Sequence, residues 1–305
     1  MNNKTYKSAL IIGMGLIGSS IARVIRQKKI ADKIFAIDNN EITIGLTKKL
    51  DIVDDIYSSL EAVSDQFNLI FICTPLSQYK NIFNKLNTFV EEPTLITDVG
   101  STKLSVVEDF KSIVNNDKIS FLPAHPIAGL EKSGPEYGFA ELFDNRYCII
   151  TPINFDDKFI DTISNIWKSF GMKVEKMDAE RHDRVLAMTS HIPQLIAYSV
   201  VGTATELETQ MKDEVIKYSA AGFRDFTRLA GSDPVMWRDV YEKNKEAVLE
   251  MLGRFSEDLL TYQKAIRNND LNFLEEKFSK SKKIRKIIEE MGQAGTFDPT
   301  EKSKN

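Results

Sequence analysis

Cysteine is scarce in this chain of 305 residues, and its scarcity excludes one class of protein. The 2 cysteines, Cys73 and Cys148, each lie in an apolar strand-like run, FICTP and YCIITP. Two isolated cysteines in a chain of this length are typical of reduced core residues and exclude a disulfide scaffold. The cytoplasm is therefore the expected compartment, and no metal site is predicted.

An excess of positive charge is also missing. The 40 basic residues are balanced by 44 acidic ones, for a net charge of −4, so no nucleic-acid partner is expected. No apolar run approaches the ~20 residues needed to cross a bilayer, so no membrane association is expected. The start, MNNKTYKSALIIGMG, lacks the apolar core and cleavage site of a secretory signal. What remains is the composition of a soluble globular protein.

Short apolar runs alternate with helical patterns over the first half of the chain. Continuous apolar strands separated by helices predict a doubly wound, mostly parallel α/β sheet that is covered on both faces. The clearest strands are SALII (8–12), KIFAI (33–37), NLIFI (68–72), TLITD (94–98), ISFLP (119–123) and YCIIT (147–151).

After Asp178 the pattern is helical, without a convincing strand. One long helix is predicted to begin in SDPVMW, with Ser232 or Asp233 as N-cap and Pro234 in its first turn, and to continue to Leu259. Such helices have more apolar surface than a domain of ~115 residues buries alone, which favours a second subunit.

The segment IIGMGLIGSSIA carries the spacing G-x-G-x-x-G at Gly13, Gly15 and Gly18. A lone match is weak, but here it lies between an apolar strand and a helix, as in a Rossmann-type dinucleotide site. Gly13 would make the tight turn, Gly15 would let the backbone approach the pyrophosphate, and Gly18 would allow close helix–strand packing. Leu16 and Ile17 open the helix, whose N–H groups would bind the phosphates.

Asp38 ends the second strand, 20 residues after Gly18. A carboxylate there accepts hydrogen bonds from both ribose hydroxyls and repels a 2′-phosphate, which favours NAD over NADP. The alternative is a simple turn residue before Asn39 and Asn40.

The fourth and fifth strands end in CTPLS and DVGST. Ligands of this fold bind outside the carboxyl ends of the strands, so these two segments should line the cofactor crevice. The residues predicted there are Thr74, Pro75, Asp98, Gly100 and Ser101.

We predict three segments from these patterns. Residues 1–177 form the NAD-binding Rossmann-like domain, residues 178–292 form an all-helical substrate and dimerisation domain, and residues 293–305 form a disordered tail.

His125 is one of only 3 histidines and lies in PAHPIAGLEKSGP, after the sixth strand. A core or surface ring is the simplest interpretation of a single histidine. Here the ring should lie at the mouth of the cofactor crevice, Pro126 stiffens its backbone, and the glycines that follow leave room for a ligand. A neutral imidazole can accept the proton of a hydroxyl group while hydride leaves the same carbon.

Six motifs along the chain resemble those of the prephenate/arogenate dehydrogenase family, from about residue 8 to about residue 260. They are GMGLIGSSIA, FICTPL, TDVGSTK, HPIAGLEKSGP, HDRVLAMTSHIPQ and FRDFTRLAGSDPVMWRD. The run GPEYGFAELFDNRYCIITP resembles the broad-specificity cyclohexadienyl branch. The resemblance implies a homodimer that catalyses NAD-dependent oxidative decarboxylation of prephenate to 4-hydroxyphenylpyruvate, or of arogenate to tyrosine.

The resemblance also implies roles for individual residues. His125 takes the proton of the ring hydroxyl, and Ser101 bonds that hydroxyl and aligns His125. Ser101 is equally suited to be the N-cap of the helix in TKLSVVEDF. The substrate is a dianion, and Arg228 matches the arginine that binds its carboxylate.

Glu131, Arg224 and Asp225 match an ionic network that gates the site between subunits in the family. Ordinary explanations stay open for each of these charges. Arg224 would then be a surface charge or the partner of Asp225, Arg228 a solvated charge, and Glu131 a loop residue.

His182 and His191 are nine residues apart on one predicted helix, so they should face opposite ways, ~180° apart. Only one of them can then face the crevice, unless Pro193 bends the helix. We favour His191 as a substrate ligand because Gln194 shares its face, and expect His182 to pack or cap near the helix start.

Two residues depart from the family pattern. Gln194 stands where many members have a second histidine, implicated in tyrosine feedback, and Leu130 replaces a common threonine. The choice between prephenate and arogenate, and inhibition by tyrosine, therefore stay open.

Three alternatives remain beside the main hypothesis. One is an arogenate-specific dehydrogenase. A β-hydroxyacid dehydrogenase would need a lysine in residues 178–200, where there is none. A non-catalytic NAD sensor would need neither His125 nor Arg228.

Overall fold

A computed structural model of the chain describes residues 6–154, 158–206, 214 and 217–290. The chain divides into two compact units, residues 1–248 and residues 249–305. The predicted disordered tail, residues 293–305, lies outside the described residues.

A six-stranded parallel sheet forms the centre of the first unit. Its strands are β1 (Tyr6–Ile12), β2 (Ala31–Ile37), β3 (Asp55–Tyr57), β4 (Leu69–Ile72), β5 (Thr94–Asp98) and β6 (Ile119–Leu122). Their order in the sheet is β3-β2-β1-β4-β5-β6, with all neighbours parallel. This is the doubly wound Rossmann order, so the predicted fold class is confirmed, and its switch point lies between β1 and β4.

Helices cover both faces of this sheet, which explains its continuous apolar strands. Ala9 and Ile11 of β1 pack into one core cluster, and Leu10 and Ile12 pack into the other. Because side chains alternate across a strand, both faces need apolar residues. The helices of this part are α1 (Leu16–Lys28), α2 (Glu41–Leu50), α3 (Tyr79–Phe89), α4 (Leu104–Ile113) and α5 (Ile160–Ser169).

A second, smaller sheet carries His125. Its strands are β7 (Ala124–Pro126), β8 (Tyr147–Ile150) and β9 (Lys173–Lys176). β7 is antiparallel to β8, and β8 is parallel to β9. The main sheet ends at β6 because Pro123 has no N–H with which to extend the ladder. His125 therefore lies after strand six, as predicted, but in a short strand of its own, opposite Ile149.

Beyond Asp178 the described residues contain helices and turns. The elements are α6 (Ala179–Leu186), a π-helical turn (Ala187–His191), α7 (Ile192–Thr205), α8 (Ala221–Thr227), α9 (Pro234–Lys243), α10 (Lys245–Arg267) and α11 (Leu271–Glu290).

Asp233 caps α9 as predicted, since its carboxylate accepts hydrogen bonds from the N–H groups of Val235 and Met236. The single long helix predicted from this point is wrong, because the helix breaks at Asn244. Asn244 has φ −118° and ψ 32°, outside the helical region, and its side chain bonds to the Asp183 carbonyl. In the second unit, the Tyr262 ring of α10 packs on two phenylalanines of α11.

One helix is longer and more apolar than predicted. The 27 residues Ala179–Thr205 form a continuous helix that could cross a membrane by length and composition alone. The expectation that no segment reaches this length is therefore wrong. Buried His182, Asp183 and His191 in this helix bond to other parts of the protein, which is typical of a core helix.

Candidate active site

The glycine-rich turn between β1 and α1 is tight and closely packed. Gly13 has φ +100°, and a Cβ there would lie 2.7 Å from the Cys73 carbonyl oxygen. A Cβ on Gly18 would lie 2.0 Å from the Gly13 carbonyl oxygen. The tight turn and the close packing predicted for these glycines are confirmed. Beside Gly15, no other part of the described chain places an atom within 4 Å of a Cβ position, so its backbone is open.

The N-terminus of α1 begins at this turn. Gly15 is its N-cap residue, without a side-chain cap, and no acidic residue lies in the first turn. The positive end of the helix dipole therefore faces the open glycine. Leu16 is buried and Ile17 is half-buried, so any contact they make with a phosphate uses their backbone N–H groups.

Asp38 lies beside the same turn and is half-buried. Its Oδ2 accepts a hydrogen bond from Met14 N (2.8 Å), and its Oδ1 accepts one from Asn40 N (2.9 Å). The second bond is the turn role considered for Asp38. Each carboxylate oxygen keeps a further lone pair, so the turn role is compatible with ribose binding.

The segments that follow β4 and β5 carry the other residues predicted to contact the cofactor. Thr74 Oγ1 is buried without a hydrogen-bond partner among the described residues. A buried hydroxyl of this kind is usually satisfied by a ligand or by water. Pro75 is exposed beside it, and Gly100 is packed so closely that a Cβ would lie 2.8 Å from Leu76.

Asp98 is fully buried and surrounded by protein donors. Its Oδ2 accepts hydrogen bonds from Lys103 Nζ (2.5 Å), Tyr79 Oη (2.9 Å) and Gly100 N (2.9 Å). Its Oδ1 accepts one from Ala124 N (2.9 Å). The carboxylate is therefore enclosed, which does not fit the direct cofactor contact predicted for it.

Lys103 is the fully buried partner of Asp98 and was not singled out from the sequence. Its Nζ also donates to the Ala124 carbonyl oxygen (2.7 Å), next to His125. Burial lowers the pKa of Lys103, while the nearby Asp98 carboxylate opposes that shift. Lys103 and Asp98 therefore bind both backbone groups of Ala124, which fixes the start of β7. Removing either partner would leave the other as an unpaired buried charge.

His125 is joined to a second histidine and a carboxylate. Its Nδ1 lies 2.9 Å from His182 Nε2, and His182 Nδ1 lies 2.7 Å from Asp183 Oδ1. An ionised carboxylate only accepts, so His182 carries its hydrogen on Nδ1 and accepts at Nε2. His125 then donates from Nδ1, which leaves the basic lone pair on Nε2. His182 was expected to pack or cap, and instead it holds His125.

The surroundings keep His125 neutral. Burial lowers its pKa well below 6.5, and the neighbouring His182, Lys103 and His191 lower it further. Burial also lowers the pKa of His182, although its hydrogen bond to Asp183 acts in the opposite direction. A neutral His125 can accept a proton at neutral pH.

Asp183 has a second function at the start of α4. Its Oδ1 accepts a hydrogen bond from Lys103 N (2.7 Å), and its Oδ2 accepts one from Leu104 N (3.0 Å). The alternative role of Ser101 as N-cap of this helix is therefore wrong, because Lys103 is the N-cap residue. Ser101 is half-buried in the turn that precedes it.

His191 lies near the same group of side chains. Asn244 Nδ2 is 3.1 Å from His191 Nδ1 and donates to the Asp183 carbonyl oxygen (2.9 Å). The His191 ring meets the Trp237 ring edge-on, with centroids 6.0 Å apart. Among the described residues, neither His191 Nε2 nor Trp237 Nε1 has a hydrogen-bond partner, although both atoms are buried.

The π-helical turn explains why two histidines nine residues apart act on one region. Its hydrogen bonds span five residues, so it rotates by a smaller angle per residue than an α-helix. The ~180° separation predicted for the two histidines on a regular helix therefore does not apply. Pro193, just after the turn, supplies no N–H to the preceding residues. The charge of His191 consequently influences the pKa of His125.

The remaining predicted substrate ligands lie on α7 and around α8. Buried Gln194 donates from Nε2 to the Leu229 carbonyl oxygen (2.7 Å). Half-exposed Arg228 forms an ion pair with Glu131. Arg224 donates instead to the Ser219 carbonyl oxygen (3.1 Å), so the structure joins Glu131 to Arg228 and not to Arg224.

Two family models match the chain. The model described as "Prephenate dehydrogenase, nucleotide-binding domain" matches residues 21–176. The model described as "Prephenate dehydrogenase, dimerization domain" matches residues 178–280.

Individual relatives agree with these matches. The chain is 34% identical to a cyclohexadienyl dehydrogenase of Zymomonas mobilis, over 92% of this chain and 95% of that protein. It is 32% identical to a prephenate dehydrogenase of Bacillus subtilis, over 93% and 76% of the two chains. A crystal structure of prephenate dehydrogenase from A. aeolicus with hydroxyphenyl propionate and NAD+ superposes with a TM-score of 0.87. That structure is 33% identical and covers 93% of this chain and 99% of its own.

Proposed function

Because the chain belongs to the prephenate dehydrogenase family, we propose that it oxidatively decarboxylates prephenate to 4-hydroxyphenylpyruvate with NAD. Arogenate, which carries an amino group in place of the keto group, is the alternative substrate. The observation that carries the proposal is the chain of hydrogen bonds from Asp183 through His182 to His125, in the same compact unit as the glycine turn.

The residues around the glycine turn fit the dinucleotide. Open backbone at Gly15, the uncapped end of α1 and the unpartnered Thr74 hydroxyl suit phosphate and ribose groups. The Asp38 carboxylate favours an unphosphorylated ribose, which supports NAD over NADP. When bound, NAD accepts the hydride of the reaction.

His125 Nε2 is the proton acceptor of the proposed reaction. It takes the proton of the ring hydroxyl as hydride leaves the carbon that bears this hydroxyl. The bond to the ring carboxylate then breaks, CO2 departs, and the bonding electrons pass through the ring to the new carbonyl oxygen. That oxygen is protonated and the ring becomes a phenol. The Asp183 carboxylate stabilises the positive charge that the two histidines share.

The charged and polar groups around His125 position a dianionic substrate. Ser101 bonds the reacting hydroxyl, and Arg228 binds a carboxylate through its planar fork. Glu131 orients Arg228 through their ion pair. Gln194 lines the end of the substrate away from the ring hydroxyl, and Arg224 contributes positive potential at the rim.

The proposal includes a division of labour along the chain. Residues 1–177 bind the cofactor, and residues 178–292 bind substrate and form a homodimer; the family models, which end at 176 and begin at 178, support this boundary. Exposed apolar side chains in the second unit, among them Leu260 and Phe278, support a subunit contact. The enzyme works in the cytoplasm, with tyrosine as its candidate feedback inhibitor.

Replacing His125 with asparagine tests the proposal. Asparagine keeps a polar side chain but cannot accept the proton, so NADH production from prephenate should fall roughly 10²–10⁴-fold. NAD binding, measured by calorimetry, should stay unchanged. Asn84→Ala, which removes an exposed amide bonded to the Lys80 carbonyl oxygen, is the matched control and should keep full activity.

Two results would contradict the proposal. Full turnover by the His125→Asn variant would exclude the proton-transfer role. Absence of NADH formation by the wild-type enzyme from prephenate would exclude the substrate, and activity with arogenate alone would replace it.

A further inference from the structure

We infer that Asn244 is a positioning residue that fixes the hydrogen of His191 on Nε2, and that this N–H binds an oxygen atom of the substrate. The inference rests on the proposed function, because it names one contact within the same site. It concerns the corner formed by His191, Trp237 and Asn244.

The position of the hydrogen follows from the partners of Asn244. The Asp183 carbonyl oxygen can only accept, so the Asn244 amide nitrogen, 2.9 Å away, must face it. That nitrogen carries two hydrogens and no lone pair available for hydrogen bonding. Its second hydrogen lies toward His191 Nδ1, at a nitrogen–nitrogen distance of 3.1 Å. His191 Nδ1 must therefore accept, and the neutral ring carries its hydrogen on Nε2.

The resulting N–H group has no partner in the part of the chain that the structure describes. His191 is 1% exposed, and its Nε2 is buried without a hydrogen bond. Buried donors are almost always satisfied, so a ligand or an ordered water must meet this one. Burial lowers the pKa of His191 to about 4, so at neutral pH the group is a neutral donor.

A second unsatisfied donor gives the corner its chemical preference. Trp237 Nε1 is buried without a partner in the described residues, and the tryptophan ring edge packs on His191. Tyr241 donates its hydroxyl to the His191 carbonyl oxygen (3.1 Å), which anchors the backbone. Two N–H donors suit a carboxylate or keto oxygen. An ammonium group at this position would meet donors only, so the corner favours the keto group of prephenate over the amino group of arogenate.

Simple core packing is the competing explanation for His191. A packed ring would affect stability and leave substrate affinity unchanged, whereas a ligand would affect KM for prephenate. A KM-against-kcat comparison therefore separates the two roles.

The first experiment replaces Asn244 with aspartate in the full chain. The new carboxylate accepts from His191 Nδ1, which moves the ring hydrogen away from Nε2. NMR of ¹⁵N-histidine-labelled protein should show an unprotonated Nδ1 in the wild type and a protonated one in the variant. KM for prephenate should rise roughly tenfold, as expected for one lost hydrogen bond, with a smaller change in kcat.

A second pair of variants covers the case in which Asn244→Asp does not fold. His191→Gln can still present an N–H donor and should keep KM within roughly threefold, whereas His191→Leu removes the donor and should raise KM roughly tenfold. Asn116→Ala is the matched control, because Asn116 ties the Asn87 and Val90 carbonyls together on another part of the chain. It should lower stability and leave KM unchanged.

The outcomes separate this inference from the proposed function. If wild-type enzyme oxidises prephenate and His125→Asn does not, the proposed function stands. An unchanged KM in His191→Leu, or a protonated Nδ1 in the wild-type spectrum, would then overturn the role of His191 alone.

Discussion

Replacing Asp183 with alanine removes one carboxylate that serves both folding and chemistry. The carboxylate is 3% exposed and accepts three N–H groups. Two of them, Lys103 N at 2.7 Å and Leu104 N at 3.0 Å, belong to the start of α4. The third is His182 Nδ1, at 2.7 Å. The variant should therefore lose stability and activity together.

The size of the stability loss follows from these three bonds. Loss of a helix cap costs about 1 kcal/mol. A buried donor left without an acceptor costs about 1–3 kcal/mol, and the contributions of neighbouring groups do not add fully. We expect the free energy of unfolding of Asp183→Ala to fall by about 3 kcal/mol, measured by urea unfolding at pH 7.

The loss of activity has a separate cause. Without Asp183, His182 is no longer held with its hydrogen on Nδ1, and His125 loses the acceptor that keeps its own lone pair on Nε2. The kcat for NADH formation should fall roughly 10²–10⁴-fold. This is the range for a general base that is misplaced or carries its hydrogen on the wrong ring nitrogen.

Asp109→Ala is the matched control, since Asp109 is a carboxylate on α4, the helix whose first N–H groups Asp183 binds, and it pairs with Lys80 (3.4 Å). It should keep both kcat and most of the stability. A folded Asp183→Ala enzyme with kcat within a few-fold of wild type would refute the role of the hydrogen-bonded relay, which runs from Asp183 through His182 to His125. Unchanged urea unfolding would refute the capping role.

Two further predictions concern acid stability and assembly. The pKa of His191 is lowered from 6.5 to about 4 by burial, so the unfolded chain binds a proton that the folded protein excludes. The resulting contribution of His191 to the free energy of unfolding is about 3 kcal/mol. It is fully present above pH 6.5 and is lost as the pH falls toward 4. Urea unfolding at pH 7 and 4.5 measures it, and an equal pH dependence in His191→Gln would contradict it. The wild type should sediment as a dimer, and Leu260→Asp, at a position 64% exposed, should weaken that dimer; a monomeric wild type would refute the proposed contact.

Local signals in the sequence were sufficient to predict the geometry of the glycine-rich turn. The roles of Gly13 and Gly18 depend on backbone geometry within one strand–turn–helix unit, which the spacing specifies directly. The N-cap at Asp233 is equally local. The central strands were found because burial on both faces makes them continuously apolar.

The relay could not be found in the same way, because its members are distant in the sequence. His125 and His182 are 57 residues apart, and Lys103 N and the Asp183 carboxylate are 80 apart. Their contact depends on how α6 packs beside β7 and α4, which no local pattern encodes. Asp98 was located correctly at a strand end, but the sequence does not tell whether a carboxylate there points outward or into the protein.

The π-helical turn at Ala187–His191 also sets the rotation of α7 relative to α6, the two regular stretches of helix that it joins. If the same residues were wound as a regular α-helix, everything that follows would be rotated by ~100° relative to α6. That rotation would carry Gln194 away from Leu229 while leaving His182 beside His125. The wide turn and the nine-residue spacing of the two histidines therefore work as one feature, because either without the other would place His191 on another face of the helix.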